Sequence, residues 1–422
     1  DEARYGGASV SVTAGGKITG RFSRAGVSYT FSAASFGGAV DGAFRAQAVA
    51  RSGALEQPVT LLVSPDGSGA RLLPDDALDQ LYVLFRNNWK ETGGAALMSL
   101  YAGAYTVALP VTDKSSDRAP GGTGYLTLNV KANGTVTYAG VLADGKAVSG
   151  STVLLYGPDC CSADDRATLY LLIKPSGYRI GCGLYGLLFF EPDREGGGAR
   201  GTTVTPAEFG GLHWINDDPQ SVFGYNPTTG ELPDGLSGFT NTLDATGGYY
   251  ASDQNLLARY GAAELRIQSA FPAPADFDGE QGTSGFTLVS APEPERLPAA
   301  AGSAASLVFP AAALVRNGLL VDLAASTNPW RMAVKPSLRT GLFTGSFSFY
   351  YENAAGTAQR TKAIALKGVF LPVRAAYQDY PDWMGFYLVP DTCRYLDAGG
   401  RTRSYASNWS YDFRLGPVDD AE

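Results

Sequence analysis

Hydrophobic and polar residues alternate with a period of two along much of the chain, the spacing that sends successive side chains to opposite faces of a strand. Val10 and Val12 precede Ala14-Gly15-Gly16, and Ile18 and Phe22 follow it, which predicts a β-hairpin with a glycine turn. Leu126, Leu128 and Val130 face Val136 and Tyr138 across Ala132-Asn133-Gly134, and Asn-Gly is a strong short-range hairpin signal. Asp144-Gly145 makes the next turn, with Val141 before it and Val148 after. Short strands with turns about every 8–12 residues predict an all-β fold. The expected architecture is antiparallel β-sandwich or barrel-like units built from hairpin meanders, with at most one or two short helices. One stretch departs from the pattern. Pro74-Asp75-Asp76 leads into Leu78, Leu81, Tyr82, Phe85 and Trp89, a stripe with helical spacing, and Lys90 lies near its end. Proline in the first turn and acids at the N-terminus favour a helix over 74–90. The competing expectation is a strand from Leu81 to Phe85.

The hairpins resemble one another. Ser9-Val10-Ser11-Val12 through Gly16-Lys17-Ile18-Thr19 aligns with Thr127-Leu128-Asn129-Val130 through Gly134-Thr135-Val136-Thr137. Leu61-Leu62-Val63-Ser64-Pro65, Leu172-Ile173-Lys174-Pro175-Ser176 and Ala333-Val334-Lys335-Pro336-Ser337 are each an apolar strand stopped by proline. Proline there removes a ladder donor. This repetition predicts two related β-units, an N-terminal one over 1–115 and a larger one over 120–415, the second carrying an irregular loop insertion at 191–300.

Composition adds limits. The chain has 422 residues, 45% apolar and 18% charged, enough for packed cores and too apolar for disorder. Its 53 Gly, 23 Tyr and 20 Phe suit strands and tight turns. A net charge of −8, from 33 basic and 41 acidic residues, argues against a nucleic-acid partner, which needs a basic face. The longest apolar run, Leu184 to Phe190, is broken by Gly186 and too short for a spanning helix, so no membrane insertion is expected. The chain opens Asp1-Glu2-Ala3 without Met, as after removal of a signal peptide or in an excerpt of a longer protein.

Four cysteines, Cys160, Cys161, Cys182 and Cys393, are disulfide candidates and suit an oxidising compartment. A bond between the neighbours Cys160 and Cys161 needs a strained peptide, which favours pairing of one of them with Cys182; four buried thiols are the alternative. His213, the only histidine, sits among apolar residues in Leu212-His213-Trp214-Ile215 without a G-x-S-x-G elbow, so no catalytic residues are assigned and no enzyme is expected. Asp217, Asp218, Asp234, Asp244, Asp276, Asp278 and Glu280 include the carboxylates a glycosidase would need, and acids in Gly/Pro loops are ordinarily solvated. Asp276, Asp278 and Glu280, in Asp-Phe-Asp-Gly-Glu, form a fragment of a calcium loop, and calcium is the one cofactor it would hold. Tyr377, Tyr380, Asp382 and Trp383 mix aromatics and acids around Pro381; sugar rings stack on exposed aromatic faces while carboxylates take hydroxyls, so these are the glycan-contact candidates.

The run Gly124-Tyr125-Leu126-Thr127-Leu128-Asn129-Val130, Asn133-Gly134-Thr135-Val136, Gly140-Val141-Leu142-Ala143-Asp144-Gly145 resembles a Gly-rich β-strand repeat module of large exported or surface bacterial proteins. So do Gly341-Leu342-Phe343-Thr344-Gly345-Ser346-Phe347, Ala365-Leu366-Lys367-Gly368-Val369-Phe370 and Gly385-Phe386-Tyr387-Leu388. The resemblance covers roughly 100–390 and implies a secreted or cell-surface location beside neighbouring surface domains, with no catalytic residues to carry over. The leading expectation is a non-enzymatic extracellular structural or adhesive protein that self-associates through sheet edges. The alternative is a carbohydrate-binding module or carbohydrate-active enzyme using loops 191–300 and 375–390.

Overall fold

A computed structural model of the chain describes residues 7–24, 27–40, 42–67, 69–74, 82–85, 89, 94–112, 120–156, 166–178, 182–193, 198–207, 211–216, 239–253, 259, 264–269, 287–288, 305–310, 333–348, 350–352, 358–360, 363–375, 378, 380–396 and 402–417. The protein is all-β, its strand pairs antiparallel, with one short helix among the described residues.

The first sheet holds β1 (Ala8–Val12), β2 (Ile18–Arg24), β3 (Val27–Ala33), β4 (Ala39–Val40), β5 (Ala43–Ser52), β6 (Leu55–Val63), β7 (Gly69–Pro74) and β8 (Tyr82–Phe85). It is a meander in the order β1-β2-β3-β5-β6-β7-β8, with β4 paired to β5. The β1–β2 hairpin has the expected register, Val12 opposite Ile18, and Gly16 takes a φ of 82° in its turn. Ile18, Phe22, Phe31, Ala46, Ala50, Val59, Leu61 and Leu72 alternate inward to make its core. The expected helix over 74–90 is not what forms at 82–85. Tyr82–Phe85 is a strand laddered on Gly69–Leu72, because an aromatic and β-branched run finds an edge there to pair with. Tyr82 and Leu84 pack on the core, Val83 is exposed, and Trp89 leaves this unit altogether.

The helix α1 (Gly94–Met98) leads into the second sheet. Its strands are β9 (Gly103–Leu109), β10 (Gly124–Val130), β11 (Thr135–Val141), β12 (Ala147–Leu155), β13 (Ala167–Ile173), β14 (Gly183–Asp193), β15 (Gly198–Pro206), β16 (Leu212–Asn216), β17 (Phe239–Leu243) and β18 (Thr246–Tyr249). β15 and β16 lie end to end along β14, and β17 and β18 lie end to end along them. The ten strands therefore fill eight positions. β18 pairs with β9, and Val111 bridges Leu243, so the meander closes into a barrel. The expected boundary near 115–120 falls between β9 and β10, which pair along their whole length.

Inward side chains fill the barrel, Tyr105, Val107, Leu128, Val136, Leu169, Leu184, Phe190 and Trp214 among them. One mouth is plugged from α1 and its neighbours. Trp89 lies over Gly134 and donates its indole N–H to the Leu154 carbonyl, Met98 and Tyr101 are buried beside it, and Tyr105 donates to the Tyr101 carbonyl. The other mouth is closed by Tyr178, Trp214 and Phe239, the last two edge to face with centroids 4.8 Å apart.

The third sheet comprises β19 (Glu264–Ser269), β21 (Ala305–Pro310), β22 (Ala333–Ser337), β23 (Leu342–Phe347), β26 (Ile364–Phe370), β27 (Trp383–Leu396) and β28 (Thr402–Pro417). β20 (Thr287–Leu288), β24 (Tyr350–Glu352) and β25 (Ala358–Arg360) form a small separate one. One face of the third sheet packs on the outside of the barrel: Val369, Leu371, Met384 and Phe386 share a core with Ala108 and Tyr125. Its other face is aromatic, with Phe343, Phe347, Phe370, Trp383, Tyr387 and Phe413 buried.

Candidate functional site

The chemistry-bearing side chains that converge do so where barrel and third sheet meet, around the link between β26 and β27. The Leu371 N–H donates to the Asp382 carbonyl at 2.7 Å and so ties the ends of the link together. This fixes Asp382 in a buried position, where its carboxylate receives the Arg259 Nε at 2.9 Å on one oxygen and the Arg259 Nη2 at 3.1 Å on the other. Arg374 donates to the same carboxylate from the other side of the link. A planar fork matched to a carboxylate is the strong form of this interaction. Arg259 also donates to the Pro372 carbonyl and lies 5.3 Å from the Phe370 ring centre.

Beside it stands Asp244, where β17 passes into β18, its amide held by the Pro110 carbonyl. The Tyr380 hydroxyl donates to its carboxylate at 2.6 Å, and Gln378 donates to it at 3.5 Å and to the Ala245 carbonyl at 3.3 Å. Burial, then the bond to Asp244 and its charge, push the Tyr380 hydroxyl well above the usual phenol range, so it serves as a donor. Arg414 lies 5.9 Å from the Tyr380 ring centre and donates to Asp412 at 2.8 Å, and the Thr123 hydroxyl donates to Asp412 at 2.5 Å. Further bonds cross the junction: Thr106 hydroxyl to the Phe370 carbonyl at 2.8 Å, and Ser410 hydroxyl to the Ala143 carbonyl at 2.5 Å. Asp382 thus faces Arg259 and Arg374, Asp412 faces Arg414, and Asp244 is held by the Tyr380 hydroxyl and the Gln378 amide. What this arrangement does is hold two sheets in register.

A second polar cluster lies at the barrel mouth. The Tyr178 hydroxyl donates to Asp144 at 2.6 Å and accepts the Trp214 indole N–H at 3.1 Å, and the Lys146 amide donates to Asp144 at 3.0 Å. Burial raises Asp144 above the ordinary carboxylate range, against the lowering effect of these donors. Burial and the adjacent acid likewise raise Tyr178.

Of the glycan candidates, Trp383 lies in a core. Trp383 is 1% exposed, stacked on Phe370 at 4.3 Å between centroids and edge-on to Phe343 at 5.7 Å. Its ring is therefore core, with no face open to a sugar. Asp382 is engaged by two arginines, and Tyr380 is half-buried. Tyr377, the calcium candidates Asp276, Asp278 and Glu280, and Cys160 and Cys161 lie outside the described residues. Cys182 is buried in the barrel core, and Cys393 takes a backbone position in β27 opposite Tyr405. His213 is half-buried on the outer barrel wall, stacked on Tyr185 at 5.2 Å. Among the described residues no group of three or more His, Cys, Asp or Glu is placed to hold a metal ion. Arg259, Arg374 and Arg414 carry no local signal in the sequence; only the folded chain brings them to the acids.

Comparison of the chain with models of known families, with curated proteins and with solved structures finds no match.

Proposed function

We propose that this chain is a non-enzymatic structural or adhesive module of an exported or cell-surface protein, and that it associates with its own kind through sheet edges. The observation that supports this reading is where the polar chemistry goes. Tyr380 and Gln378 bind Asp244, Thr123 binds Asp412, and the hydroxyls of Thr106 and Ser410 bind carbonyls across the junction of barrel and third sheet, where they fix the relative position of two β-units. The arginines bind acids beside them. The barrel interior is likewise filled with aromatic and aliphatic side chains. Such a build suits a stiff spacer or surface element. Its resemblance to Gly-rich repeats of exported bacterial proteins points the same way.

Sedimentation velocity at rising protein concentration, together with a glycan array, tests the proposal. Ligand-free association and an array without saturable binding are expected. A chain that stays monomeric throughout, or one that binds a glycan saturably, overturns it.

A further inference from the structure

The first sheet has a seam. Seven strands lie along its path, and they alternate in direction, so β1 and β8 run the same way. They come alongside each other, but among the described residues no ladder joins them. The core is thin at this place. Ile18 and Phe22 on β2, Leu72 on β7, the strands next to β1 and β8, and Leu61 on β6 are each exposed by 1% or less. Ala8 and Val10 on β1, and Tyr82 and Leu84 on β8, face the same core and are only partly buried. Val12 is 48% exposed.

The edge of β1 also lacks the usual protection. Natural sheets blunt an edge with Lys, Pro or a bulge. The edge strand β22 carries Lys335 and Pro336, whereas β1 reads Ala8-Ser9-Val10-Ser11-Val12 in an unbroken register with β2. That sequence is self-complementary. An antiparallel pairing centred on Val10 places Val10 opposite Val10, Ser9 opposite Ser11 and Ala8 opposite Val12, apolar facing apolar and hydroxyl facing hydroxyl.

We infer that β1 is a self-association edge whose partner is β1 of a second copy of this chain, related by a two-fold axis through Val10. The inference rests on the edge-associating reading proposed above and names the edge and the partner. The contact is isologous, so it closes as a dimer. It covers Val12 and the thin part of the core, and it requires β8 to move aside. That movement breaks the 2.9 Å bond from the Tyr82 hydroxyl to the Ser23 carbonyl and parts the Tyr82 and Phe22 rings, the contacts that now bridge the seam.

The test uses the full chain and a Ser9→Lys/Ser11→Lys double variant. Both serines are exposed on the outward face, and the pairing would set lysine opposite lysine twice. Light scattering across concentration should show a dimer for the parent and a monomer for the variant. Melting temperatures should be equal at dilutions where the parent too is monomeric, and the parent's should rise above the variant's as it dimerises. Hydrogen exchange of the parent's amides from 8 to 12 should slow as concentration rises, a readout that stands even if the variant unfolds. Association with those amides unprotected, or a variant that still dimerises, overturns the inference and leaves edge association through another strand. A parent that is monomeric at every concentration overturns both.

Discussion

Glycine and aromatic residues sit opposite each other across neighbouring strands in all three large sheets. Gly20 faces Phe31, Gly150 faces Tyr138 and Gly368 faces Phe343. In each pair the ring lies over the glycine, where a Cβ would overlap it. The ring covers backbone that glycine leaves bare, and the glycine gives the ring a flat seat. This is one physical use for the chain's many glycines and aromatics. Asp144 shows how far a turn residue's surroundings can shift its chemistry. Asp-Gly needs only a short polar side chain for the turn, yet here burial holds the carboxyl above its ordinary 3.8, against the lowering effect of the Tyr178 hydroxyl that donates to it. The unfolded chain then releases its proton at a lower pH than the folded one. Over that interval the folded state binds more protons, so the Asp144 contribution to stability is full below about 3.8 and falls as pH rises to the folded value. Urea titrations of the parent and Asp144→Asn should therefore diverge as pH is raised from 3 to 7, the parent losing stability relative to the variant. A difference that stays flat, or one that grows in the parent's favour, would show that Asp144 is not raised.

Elements whose cause is local were legible in the sequence. The hairpins at 126–138 and around Asp144-Gly145 follow from turn chemistry, and they form with Val130 opposite Val136 and Val141 opposite Ala147. The stripe from Leu78 to Trp89 misled because its members serve different partners. Tyr82 and Leu84 complete the first sheet, while Trp89 closes the barrel. Trp383 misled for a related reason: in sequence it stands among acids and a tyrosine, and its neighbours in space, Phe370 and Phe343, arrive from other strands. The joint around Asp382 was invisible, since Arg259 lies 123 residues away along the chain. Its energetics follow from which partner is buried. Asp382 is inside, whereas the side chains of Arg259 and Arg374 are 31% and 30% exposed and can reach water if released. Asp382→Ala should cost about 3 kcal/mol through loss of several charge-assisted bonds. Arg374→Ala should cost less, about 1 kcal/mol, because the Arg259 fork stays on the carboxylate. Denaturant titration measures both, and an Arg374→Ala cost equal to or above that of Asp382→Ala would mean the two arginines do not share the load this way.

At the scale of the molecule, strand parity decides which sheets close. In an antiparallel meander an even number of positions brings first and last strands together in opposite directions, and the eight-position barrel seals with β18 on β9. The first sheet and the third have seven strands on their paths, and their end strands run parallel, so neither seals on itself in the same way. The three sheets are also coupled unequally. Barrel and third sheet share a buried cluster around Tyr125, Val369 and Phe386 and the whole polar joint. The first sheet has its own core and meets the barrel near Leu172, beside Gly7, and Tyr170, within electrostatic reach of Tyr82. Cooperativity follows shared burial, because a unit that loses little contact when its neighbour melts has no reason to melt with it. Calorimetry should accordingly show two unfolding transitions, one for the first sheet and one for barrel and third sheet together. Asp382→Ala should lower the second and leave the first in place, whereas Phe22→Ala, in the core of the first sheet, should lower only the first. A single transition moved by both substitutions would mean that the first sheet is bound to the barrel as tightly as the third sheet is.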